Sequence, residues 1–138
     1  MEIELNLLNN AYHFGAKNES GNIVEMDASP AIGGLGLGAR PMELLIMGLG
    51  GCSGIDVLSI LRKQKIEPVD FRIKISAERE KDAVPSLFTN IHVKFIFKGP
   101  IDETKASRAI GLSMDKYCSV AKTLEKTAKI TYEMNIES

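Results

Sequence analysis

RPMELLIMGLGGCSGIDVLSILRKQK, residues 40–65, carries the signals of one long helix. Pro41 suits a first helical turn, where proline has no N–H to lose. Glu43 follows in that turn, where a carboxylate complements the positive end of the helix dipole. Leu44, Leu45, Ile46, Met47 and Leu49, then Ile55, Val57, Leu58, Ile60 and Leu61, are apolar on nearly every side. A helix of that kind is expected to be buried. Arg62, Lys63 and Lys65 give it the basic end that suits a helix C-terminus. Gly48, Gly50, Gly51 and Gly54 surround Cys52 in the middle, and each glycine costs about 1 kcal/mol relative to alanine in a helix. Close approach of another backbone, or of a substrate, to the Cys52 sulfur would explain them.

Outward from this helix the pattern changes to strands. Ile3, Leu5 and Leu7 alternate in residues 2–8, and Tyr12, Phe14 and Ala16 in residues 11–17. A turn at Glu19–Asn22 leads to a third strand over 23–27, which completes an antiparallel meander. Residues 28–40, with Gly33, Gly34, Gly36 and Gly38, read as a flexible connector into the helix. They are no P-loop, because no Lys-Ser/Thr follows. The cluster Gly48–Gly54 is no dinucleotide fingerprint, because it lies inside a helical pattern.

On the C-terminal side, Val69–Ala77 and Ile91–Phe97 alternate as partner strands. Asp102 starts a second helix, Tyr117-Cys118-Ser119 interrupts it, and Val120–Lys126 forms a short third one. Ala128–Ile136 alternates as a last strand. The order β-β-β-α-β-β-α-β is an α+β fold with a largely antiparallel sheet, in a single domain over residues 1–138.

A net charge of −1 gives no reason to expect nucleic acid or an anionic membrane surface as partner. No signal peptide and no apolar run of bilayer length is read, so the chain is expected in the cytoplasm. There, two cysteines are catalytic, redox-sensing or merely buried. Without a Cys-x-x-Cys motif, and with His13 and His92 isolated, no metal or cofactor is expected. Asp56 lies one turn beyond Cys52 and would disfavour a thiolate. Cys118 stands at a helix start, where N–H groups favour one. The spacing leaves open whether the two sulfurs meet.

The motifs Pro41–Cys52, Pro85-Ser-Leu-Phe-Thr-Asn-Ile-His-Val and Tyr117-Cys118-Ser119-Val120 resemble the OsmC/Ohr family of thiol-dependent hydroperoxide reductases. The resemblance implies an intertwined homodimer around the long central helix. It also implies a peroxidatic role for Cys52, a resolving role for Cys118, an organic hydroperoxide as substrate and a lipoyl-type dithiol as reductant, in an antioxidant setting. Two positions depart from the family pattern. No arginine precedes Arg40, which leaves Lys17, His13 or Arg40 as the cation near the sulfur. Met42 stands where the family has its glutamate, and Glu43, the candidate to orient that cation, is displaced by about 100° around the helix. The alternative reading is the same dimer binding a small apolar or thiol-reactive ligand without turnover.

Overall fold

The computed structural model describes residues 1–138. They divide into two compact units, Met1–Leu45 and Ile46–Ser138. The first holds β1 (Ile3–Leu7), β2 (Phe14–Asn18) and β3 (Ile23–Met26) in the order β1-β2-β3, antiparallel throughout. The meander is therefore as expected. Gly21, at φ 86°, turns β2 into β3, a left-handed conformation that glycine takes without strain.

Residues 28–38 form a pinned loop, not the flexible connector expected. Asp27, almost fully buried, accepts from the N–H groups of Ala28 at 2.7 Å, Leu35 at 3.2 Å and Leu37 at 3.1 Å. Burial pushes this carboxyl up, but the three donors outweigh it and hold it below the usual range. A side chain at Gly34 would put its Cβ 1.8 Å from the Ala28 carbonyl oxygen. Only glycine permits that approach.

The central helix, α1 (Pro41–Lys63), runs unbroken through its glycines. Its start is a capping arrangement in which the Arg40 N–H donates to the Glu43 carboxylate at 2.8 Å. By length and composition alone this helix could cross a bilayer, so the expectation of no such run is corrected. The glycines disguised it in the sequence. Nor is the helix buried all round. Leu49, Ser53, Gly54, Val57 and Leu61 are buried along one face, while Leu45, Met47 and Ile55 lie exposed.

In the second unit β4 (Asp70–Arg79) pairs antiparallel with β5 (Phe88–Lys98), and β5 pairs parallel with β6 (Lys129–Glu137). The parallel pair needs a crossover. It is supplied by α2 (Glu103–Leu112), a π-helical turn at Ser113–Tyr117, and α3 (Ser119–Leu124). Asp102 caps α2 by accepting from the Lys105 N–H at 2.9 Å.

Strand β5 is the centre of the core. Phe88, Ile91, Val93, Phe95 and Phe97 are buried, and Phe71 of β4 stacks on Phe97 with centroids 4.7 Å apart. The glycines of α1 let β4 come close: a Cβ on Gly50 would lie 3.2 Å from Ile75, and one on Gly54 3.0 Å from Ile73. Ala106, Ala109 and Ile110 bury the inner side of α2. His92 faces away from the core and bonds Thr131 Oγ1 at 2.7 Å, as its place between Ile91 and Val93 predicts.

Candidate functional site

Cys52 and Asp56 are four residues apart on α1 and so share one face. Cys118 reaches the same place from the far side of the crossover. The two sulfurs and an Asp56 carboxylate oxygen all lie within 4.8 Å of one another. Both cysteines are free thiols. Cys52 and Asp56 are half-buried, whereas Cys118 is fully buried.

The break before α3 explains how Cys118 arrives there. The Ser113 carbonyl accepts from the Cys118 N–H at 2.7 Å, a bond that spans five residues and widens the turn. Cys118 then leaves helical geometry at φ −72°, ψ 105° and caps α3, its sulfur accepting from the Ala121 N–H at 3.4 Å. The wide turn buries Ser113 as well. Ser113 Oγ donates to Asp56 Oδ2 at 3.0 Å and lies 3.4 Å from the Ser53 carbonyl oxygen. That hydroxyl holds the carboxylate toward the sulfurs.

The electrostatics run against the expected thiolate at Cys118. Burial pushes its thiol up, the Cys52 sulfur beside it pushes further, and the Ala121 and Val120 N–H groups only partly offset them, leaving it at about 11. The helix start is present as read, but desolvation is the larger effect. No cation is among the groups that act on Cys118. Asp56 places a carboxylate in the cluster, as its spacing from Cys52 implies.

Glu43 is engaged at the start of α1, about 13.5 Å of helix rise before Cys52. Lys17, His13 and Arg40 belong to the first unit, while both sulfurs belong to the second. His13 Nε2 lies 2.8 Å from Glu25 Oε1, without the geometry of a hydrogen bond. Ser113 was not singled out from the sequence. A serine inside a helical pattern is unremarkable, and only its distance of five residues from Cys118 hinted at a widened turn.

Comparison with known proteins places these features in a family. The family model described as OsmC-like protein matches residues 34–133. Protein YhfA of Escherichia coli K12 is 45% identical over 97 residues, which cover 70% of this chain and 72% of that protein. The crystal structure of a hypothetical protein from Aquifex aeolicus VF5 superposes with a TM-score of 0.80 at 32% identity, over 99% of this chain and 97% of the other. The organic hydroperoxide resistance protein OhrB of Bacillus subtilis superposes with a TM-score of 0.62 at 19% identity, over 96% of both chains, a likeness of fold.

Proposed function

The chain belongs to the OsmC-like protein family, and from that premise we propose that it is a cytoplasmic thiol-dependent peroxidase that reduces organic hydroperoxides through Cys52 and Cys118. Members of the family are typically dimeric and act on hydroperoxides. The observation that carries the reading is the pair of free sulfurs within 4.8 Å. A disulfide needs about 2.05 Å, so the two sulfurs must approach further to bond.

The exposures divide the roles. Half-buried Cys52 meets the peroxide, and buried Cys118 waits behind it. The Cys52 thiolate attacks the distal peroxide oxygen. The O–O bond breaks, the alkoxide takes a proton and leaves as alcohol, and Cys52 becomes a sulfenic acid. Cys118 displaces hydroxide from that sulfur, its thiol proton leaves with it as water, and a Cys52–Cys118 disulfide forms. A dithiol reductant of the lipoyl type returns both thiols and is itself oxidised to a cyclic disulfide. In this scheme Glu43 fixes the start of the helix that presents Cys52.

A homodimer is part of the proposal. Leu45, Met47 and Ile55 along α1 are 45%, 56% and 70% exposed, and a second copy of the chain would cover them. The second reading, a dimer that binds a small apolar or thiol-reactive ligand without turnover, is favoured by one observation: a carboxylate stands beside the sulfurs, and no cation is among the groups that act on Cys118. The test is consumption of cumene hydroperoxide with dihydrolipoamide as reductant. Wild type should far exceed Cys52→Ser. Equal rates would remove the peroxidase and leave the binding protein.

A further inference from the structure

We propose that Cys52, Asp56 and Cys118 of the reduced chain form a binding site for a thiophilic divalent cation of the zinc class, with a fourth coordination position open on the exposed side. Zinc takes thiolate and carboxylate ligands in tetrahedral geometry, at about 2.3 Å to sulfur and 2.0–2.2 Å to oxygen. Those lengths put tetrahedral ligand atoms roughly 3.5–3.8 Å apart. The three donor atoms here already lie within 4.8 Å of one another, so closing on an ion takes a contraction on the order of 1 Å.

The surroundings of the three donors fit the same chemistry. A carboxylate beside two thiols is a poor way to make a free thiolate, because like charges oppose one another. It is a good way to hold a dication, which converts that opposition into attraction and deprotonates a coordinating thiol outright. The carboxylate is oriented by the buried hydroxyl of Ser113 at 3.0 Å, and the Cys118 sulfur by the Ala121 N–H at 3.4 Å. Such outer hydrogen bonds are what fix metal ligands in place. Cys118 and Ser113 are fully buried and Cys52 and Asp56 half-buried, so an ion and a fourth ligand would enter from the side of the two α1 residues.

Binding is not a redox step. Two thiols lose their protons to buffer, two S–M bonds and one O–M bond form, and the oxidation state of the ion is unchanged. The three donors are split between 52, 56 and 118 and form no local motif. The site shares both sulfurs with the proposed redox pair, but ion binding requires no peroxide turnover.

The experiment uses the full-length reduced chain in oxygen-free buffer, with two free thiols confirmed by titration. Zn²⁺ is added in a calorimeter in two buffers of different ionisation enthalpy, and Cd²⁺ is added under an ultraviolet spectrometer. The expected result is one ion per chain, proton release on binding, and a sulfur-to-cadmium charge-transfer band. Ser113→Ala should weaken Zn²⁺ binding by about 10–100-fold, the usual effect of losing an outer hydrogen bond. Asp56→Asn should weaken it at least as much, and Cys52→Ser should abolish the stoichiometric event, with circular dichroism confirming that each variant is folded. The proposal is overturned if the reduced wild type binds no stoichiometric ion. It is equally overturned if Asp56→Asn and Cys52→Ser bind as the wild type does. A chain that forms the disulfide with peroxide yet binds no ion would end this proposal and leave the peroxidase standing; the reverse outcome would do the opposite.

Discussion

Challenging the folded, metal-free chain with iodoacetamide at pH 7 tests the division of labour between the two thiols. Cys118 at about 11, against an ordinary value of 9.0, has its thiolate fraction cut about 100-fold, to about one chain in 10⁴. Its complete burial slows access further. Half-buried Cys52 should therefore be alkylated first and Cys118 last, as read by quenching at intervals and mapping peptides. Raising the pH from 7 to 9 should speed Cys118 labelling by about 100-fold while the fold persists. In urea the two rates should converge. In Cys52→Ser, Cys118 should recover only part of its reactivity, because burial is the largest cause of its shift and remains in place. The thiol is raised on folding, so its contribution to stability is complete below the unfolded value and is lost as pH rises from about 9 toward 11. Comparable labelling of both cysteines in the folded chain at pH 7 would refute the assignment of Cys118 as the protected partner.

Three further outcomes are expected. Asp27 is held below its unfolded value of about 3.9, so its support for the 28–38 loop is present above that pH and lost as pH falls through the folded value. Asp27→Asn should thus lower Tm near neutral pH and flatten the acid end of the stability profile; a profile unchanged below pH 4 would contradict it. Gly34→Ala should destabilise the chain by on the order of 3 kcal/mol, because its Cβ meets backbone 1.8 Å away, and a denaturant midpoint equal to wild type would dismiss the pinned loop. Ile55→Asp should convert the dimer to a monomer in sedimentation at low micromolar concentration, since a charge replaces a 70% exposed apolar side chain on α1; a wild type that is already monomeric removes the dimer proposal.

Much of this architecture was legible because local signals agreed with it. Pro41 and Arg62–Lys63 bracketed α1, Asp102 marked the start of α2, and the alternation through Ile91, Val93, Phe95 and Phe97 marked the central strand. Other features depended on partners distant in sequence. The parallel pairing of β5 with β6 follows from the crossover between them, and alternation is blind to strand direction. Asp27 looked like the end of a strand, because its three N–H partners lie up to ten residues away in a glycine-rich segment that resembles a plain connector. The helix start at Cys118 is visible in the sequence, whereas the desolvation that dominates its thiol depends on tertiary burial. At the site, Cys52 and Cys118 were visible as residues, but their meeting was not. The wide turn at Ser113–Tyr117 brings them together, and it has no sequence motif.

One equivalent of cumene hydroperoxide, added to the reduced, metal-free chain and followed by thiol blocking and peptide mass mapping, probes the redox pair most directly. The account predicts an intrachain Cys52–Cys118 disulfide, formed by sulfurs that already lie within 4.8 Å. In Cys118→Ser it predicts Cys52 arrested as the sulfenic acid or oxidised beyond it. Two unmodified thiols with the hydroperoxide unconsumed, or disulfides found only between chains, would contradict it.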